Sequence, residues 1–83
     1  MFNYKDMQYY DIVRKNIKKY RIKKKYTQLQ LAVATNLSLD YICEIESLTK
    51  NKTFSIRVVG RIADALEIPI YKFFIGNFIE QLY

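Results

Sequence analysis

TQLQLAVATNLSLDYICEIE, residues 27–46, is the stretch on which the fold of this chain turns. Thr27 has the side chain of a helix N-cap, and Gln30, three residues on, completes a capping box that satisfies two orphan amide donors at once. Leu29, Leu31, Ala32 and Thr35 give the short helix that follows a packing side. The methyl of Ala32 allows a second helix to cross closely at a steep angle, where a Leu would hold it away. Asn36 is suited to the left-handed conformation that ends a helix, so a turn is expected over 35–37. Leu37 tucks beneath that turn, Ser38 is the next N-cap, and a further helix is expected from Leu39 to Ser47. Ile42 and Ile45 share its buried side with Leu37, which leaves Leu39, Asp40, Cys43, Glu44 and Ser47 outside.

On the N-terminal side, Tyr9, Tyr10, Ile12, Val13, Ile17 and Tyr20 recur at helical spacing and predict a first helix from about Tyr9 to Ile22. Residues 1–8 lack a period and read as an arm. Between Arg14 and Lys25 lie eight cations and no anion. One sign of charge repels itself at i,i+4, so this block asks for a polyanion to neutralise it rather than for solubility alone. From Tyr26 to Thr49 there are three anions, Asp40, Glu44 and Glu46, and no cation. The basic surface therefore flanks the opening stretch instead of lying within it.

On the C-terminal side, 48–54 reads as a polar, lysine-bearing loop. Ser55 or Thr53 caps a fourth helix, Ile56–Leu66, with Ile56, Val59, Ile62, Ala63 and Leu66 on its apolar side. Pro69 breaks it and suits the first turn of a fifth helix from about Ile70 to Leu82. That helix would carry two apolar stripes, Ile70-Phe74-Phe78-Leu82 and Tyr71-Ile75-Ile79-Tyr83. One can pack on the body; the other is surplus and offers a contact with a second subunit.

Eighty-three residues allow a single domain. A 51% apolar composition with two Gly and one Pro favours a compact helical globule over disorder or a turn-rich sheet protein. Eight Tyr and five Phe help so small a core bury enough area. Cys43 is the lone Cys and there is no His, so neither an internal disulfide nor a zinc constellation is expected. No membrane span or signal peptide is recognised, and the expectation is a cytoplasmic, mature chain with no cofactor. The net charge of +6 points to a polyanionic partner.

Four segments resemble the Cro/CI-like (XRE-type) helix-turn-helix regulators, a family that includes phage repressors and restriction-modification controller proteins. IKKYR (Ile17–Arg21) is similar to the end of that family's first helix, TQLQLA (Thr27–Ala32) to its Thr-Gln-x-x-Leu-Ala signature, IxxIE (Ile42–Glu46) to the close of its recognition helix, and RIADALEIP (Arg61–Pro69) to its IAxAL helix. The resemblance spans about Ile12 to Phe74 and implies an all-α, five-helix lambda-repressor-like domain whose third helix enters the major groove of double-stranded DNA. Carried over residue by residue, it implies that Gln28 holds a phosphate or braces the recognition helix. Ser38 would lie at the backbone end of the reading helix, and Leu39, Asp40 and Glu44, with Tyr41 and Cys43 among them, at the base-reading positions. Arg21 and Glu46 match a pair the family uses as an internal salt bridge. Departures are Asn36 and Leu48, where the family usually has Gly, a longer loop after Leu48, and a reading face without the usual Gln and Arg.

A division of labour is expected. The basic block including Lys24 and Lys25, with Lys50, Asn51 and Lys52 of the loop, attracts phosphates, while the Ser38–Glu44 face selects sequence. Leu39 suits a thymine methyl, and Asp40 or Glu44 a cytosine amino group; Asp40 also reads as a first-turn acid favouring the helix dipole. One such unit reads few base pairs, so a homodimer is expected, through Tyr71, Ile75, Ile79, Leu82 and Tyr83 with Phe73 or Phe78 nearby. The expected role is a transcriptional regulator, a repressor above all. The other readings are an antitoxin or anti-repressor that grips a protein with the same fold, and a membrane-surface helix, which the core's need for the apolar face of the first helix disfavours. Without a His, a nucleophile-base pair or a Gly-rich phosphate loop, an enzyme is not expected.

Overall fold

A computed structural model of the chain describes residues 4–76. It has four α-helices, α1 (Tyr4–Lys23), α2 (Gln28–Thr35), α3 (Leu39–Glu46) and α4 (Ile56–Leu66), followed by a short 3-10 helix at Ile70–Phe74. The caps explain the boundaries. Thr27 Oγ1 accepts from Gln30 N at 3.0 Å while Gln30 Oε1 accepts from Thr27 N at 2.8 Å, the expected reciprocal box. Asn36 ends α2 at φ 58°, ψ 33°, and the Ser38 and Ser55 hydroxyls cap α3 and α4.

The core is built from one side of every element: Val13 and Ile17 of α1, Leu31 and Ala32 of α2, Ile42 and Ile45 of α3, Val59, Ile62, Ala63 and Leu66 of α4, and Phe73. At roughly 2 kcal/mol for each large apolar side chain fully buried, this cluster is what the helices gain by meeting. Leu37 packs against it below the turn.

The structure corrects the sequence reading in four places. The arm expected over 1–8 is helical from Tyr4, and residues 1–3 lie outside the described residues. Asp6 stands in the first turn, where a carboxylate favours the helix dipole, and Tyr10 packs edge-on against Phe54 at 5.1 Å between ring centroids. Leu29 and Ile56, expected in the core, are 57% and 65% exposed. Leu29 is two residues from Leu31 and so falls on the opposite side of α2, and Ile56 sits at the very start of α4.

The fifth helix is the third correction. The 3-10 helix stops at Phe74, and Ile75 is extended at φ −88°, ψ 113°, so neither apolar stripe runs unbroken from Ile70 or Tyr71. The buried amide of Asn16 donates to the carbonyls of Phe73 at 2.8 Å and Ile75 at 2.9 Å. That pulls the segment across α1 and satisfies main-chain oxygens a helix would have used. Phe73 is fully buried with its ring 6.0 Å from that of Tyr20. It is a core residue and not an interface one. Phe78, Ile79, Leu82 and Tyr83 lie outside the described residues.

The fourth concerns Arg14, counted in the exposed basic block. It is 0% exposed, and its neighbours define the candidate site.

Candidate nucleic-acid interface

The outer side of α3 carries the side chains that are free to meet a partner. Leu39, Asp40 and Cys43 are exposed, Tyr41 and Glu44 half-buried. Ser38 is exposed at the N-terminus of the same helix, with its hydroxyl engaged by the Tyr41 amide at 3.0 Å. Ile42 and Ile45 on the opposite side are fully buried. The periodicity of the helix alone accounts for this split.

What holds α3 in place is an arrangement of charged side chains behind it. Arg21 Nε donates to Glu46 Oε2 at 2.7 Å and Nη2 to Oε1 at 3.0 Å, a bidentate pair tying α1 to the last turn of α3. Arg21 Nη1 also donates to the Tyr26 carbonyl at 2.7 Å, fixing the entry to α2. Gln28 completes the set, its amide nitrogen donating to Glu46 Oε1 at 3.1 Å and its amide oxygen accepting from the Cys43 thiol at 3.2 Å. Of the two roles implied for Gln28, bracing is the one its contacts serve.

Arg14 works seven residues earlier on the same side of α1, two helical turns from Arg21. Its guanidinium donates to the carbonyls of Ile45 at 3.0 Å, Ser47 at 3.3 Å and Lys52 at 2.6 Å, and to Asp11 Oδ1 at 2.9 Å. The Phe54 ring centroid lies 5.5 Å from its central carbon. The end of α3 and the loop beyond it are thereby sewn to α1. Nothing in the sequence separates Arg14 from its cationic neighbours, because its role arises from distant carbonyls.

The loop presents Lys50 and Asn51 to solvent, Asn51 at φ 54°, in the left-handed region that Asn tolerates. Lys52 is half-buried, with Nζ 3.4 Å from Glu44 Oε1 and 5.3 Å from the Tyr41 ring centroid. A loop cation thus already offsets one carboxylate of the outer face. Lys24 is turned elsewhere, bonded to Glu67 at 2.6 Å beyond the end of α4. This contact raises the Lys24 pKa and lowers that of Glu67, the hydrogen bond being the largest cause in each case. Lys25 is exposed at φ 64° in the link to α2.

Arg61 is a neighbour that the sequence pattern did not single out. Exposed on α4, it reaches the Thr35 carbonyl at 3.5 Å, beside the turn between α2 and α3. Arg57 lies one turn before it, also exposed. Their i,i+4 spacing opposite the apolar side of α4 was the available signal. Among the described residues no cluster of His, Cys, Asp and Glu could hold a metal ion, and no helix is long and apolar enough to cross a membrane.

Comparison with known proteins agrees with the helix-turn-helix fold. The sequence model of the family described as Helix-turn-helix matches residues 17–73. Among solved structures, the chain is similar to one described as a hypothetical transcription factor NHTF from Neisseria, with 20% sequence identity over 90% of this chain and 85% of that one, and a TM-score of 0.77. Identity that low shows likeness of fold alone. No curated protein matches the sequence significantly.

Proposed function

This chain belongs to the Cro/CI-like (XRE-type) helix-turn-helix family, and we propose that it is a sequence-specific double-stranded DNA-binding transcriptional regulator, a repressor, that inserts α3 into the major groove as a homodimer. The observation that carries this reading is the contrast between the two sides of α3. Its outer side is exposed while its inner side is pinned by Arg21, Gln28 and Arg14. A reading helix must be held rigidly from behind and left open in front, since base contacts tolerate little misplacement.

In this reading Ser38, Leu39, Asp40, Cys43 and Glu44, with Tyr41 at their edge, face the bases, and Lys25, Lys50, Asn51 and Lys52 contact phosphates. Lys24 contributes by releasing Glu67 for a phosphate. For the dimer, Tyr71 and Ile75 are exposed, at 61% and 43%, and available; the remaining share falls to Phe78, Ile79, Leu82 and Tyr83.

Mobility shifts on random duplex DNA at low and high salt, with sedimentation of the free protein, test the proposal. A shift that weakens with salt, and a dimer at micromolar concentration, are expected. Neutralising Lys50 and Lys52 should lower the salt slope by about one unit per lost phosphate contact. Absence of any shift at low salt would refute DNA binding, and a monomer at high micromolar concentration with and without DNA would refute the dimer.

A further inference from the structure

The exposed cations of α1 do not point where the reading helix points. Arg14 and Arg21 face α3, whereas Lys15, Lys19 and Lys23 lie about a quarter to a half turn round the helix from Arg14. All three are exposed. The ion pairs among the described residues engage Asp11, Glu44, Glu46 and Glu67 with other cations, and none of them involves Lys15, Lys19 or Lys23. Lys19 and Lys23 both rest against Tyr20, their ammonium groups 5.4 and 5.9 Å from its ring centroid. That contact restrains two long side chains at modest gain.

We propose that the Lys15-Lys19-Lys23 stripe is a second DNA-binding surface, which takes the phosphate backbone of a duplex segment other than the one read by α3. The inference rests on the DNA-binding function proposed above. Charge complementarity names the occupant. Three lysines at i,i+4 intervals lie about 6 Å apart along the helix axis, while each strand of a duplex presents a phosphate about every 3.4 Å of its axis. Each lysine, about 6 Å from the next, can therefore meet its own phosphate on one strand. Backbone binding to DNA needs charge and reach rather than an apolar anchor at the centre of the contact, and the test below separates it from an acidic protein. The surface gives a protein bound at one site a means to hold a second stretch of DNA, independent of sequence.

The test compares the full-length protein with a Lys15→Gln/Lys19→Gln/Lys23→Gln variant, whose exposed positions leave the core untouched, as an unchanged circular dichroism melt verifies. A duplex carrying the selected site is fixed to beads and saturated with protein, and capture of a second, labelled random duplex is measured against salt. The unmodified protein is expected to capture it, with capture falling about 40-fold between 50 and 200 mM salt if three phosphate contacts are lost. The variant is expected to lose capture at least tenfold while it still binds the first duplex and selects the same sequence there. The inference falls if the first duplex binds but no second is captured, if the variant captures equally, or if both affinities drop together. It also falls if polyglutamate, and not DNA, binds the unmodified protein and spares the variant. Failure of the first duplex to bind at all would instead sink the underlying function.

Discussion

The Arg14 guanidinium, with no solvent exposure, donates to the Lys52 main-chain carbonyl at 2.6 Å, so a residue in the middle of α1 fixes the loop that follows the reading helix. Replacement by Met keeps the stem and removes the donors, leaving the carbonyls of Ile45, Ser47 and Lys52 and the Asp11 carboxylate without this partner. A loss of about 3–5 kcal/mol is expected, the range for breaking one side of a buried charged network. Urea denaturation measures it. Amide exchange should also quicken at residues 48–53 before the rest of the chain; uniform quickening would mean that Arg14 serves the fold alone.

Arg21 and Glu46 provide a second, separable restraint. Removing either partner strands the other in a site where both residues are less than one tenth exposed, at a cost of about 3–5 kcal/mol. Removing both with Arg21→Met and Glu46→Leu should cost less than the sum of the singles, with a coupling of about 1–3 kcal/mol in a double-mutant cycle. Additive losses would show that the bidentate geometry contributes nothing as a pair.

The Lys24–Glu67 bridge makes stability depend on pH in a definite direction. The Glu67 pKa is lowered from 4.5, so its contribution is present above that value and is lost as pH falls through the lowered pKa. The Lys24 pKa is raised from 10.5, so its contribution is present below that value and is lost as pH rises through the raised one. A Glu67→Gln variant should melt slightly below the unmodified protein at pH 7 in dilute buffer and equal to it near pH 2, with the gap closing in 1 M salt because the pair is exposed. A gap that persists at pH 2 would assign the effect to the left-handed backbone of Glu67 at φ 58° instead.

Cys43 offers a footprint of the proposed reading face, since it is the lone Cys and is exposed between Asp40 and Glu44. With duplex at ten times its Kd, alkylation should slow about tenfold, as the free fraction falls. An unchanged rate would place the DNA elsewhere.

The helix-turn-helix was legible because its signals are local. Thr27 and Gln30 cap each other, Asn36 takes the left-handed turn, and Ser38 and Ser55 each sit one residue before a helix. The remainder depended on contacts far apart in sequence. Arg14 resembles any other cation of its block until the carbonyls 31, 33 and 38 residues away are in place. The apolar spacing after Pro69 continues like a helix in sequence, and nothing local marks the extended backbone at Ile75, where the Asn16 amide, 57 residues upstream of Phe73, bonds the main-chain carbonyls. Leu29 and Ile56 read as members of the packing sides of their helices, Ile56 by its spacing to Val59, and such spacing carries no information about where the packed body stops.

Selection of bound fragments from a random duplex pool tests the central claim most directly, with the unmodified protein beside Asp40→Ala and Glu44→Ala. The unmodified protein should enrich one two-fold symmetric sequence with half-sites about one DNA turn apart, and each variant should enrich an altered half-site. Glu44→Ala should also bind all DNA more tightly, because it frees Lys52 from the 3.4 Å contact. Enrichment of no sequence, or of the same sequence by all three proteins, would contradict the assignment of α3 as the reading helix.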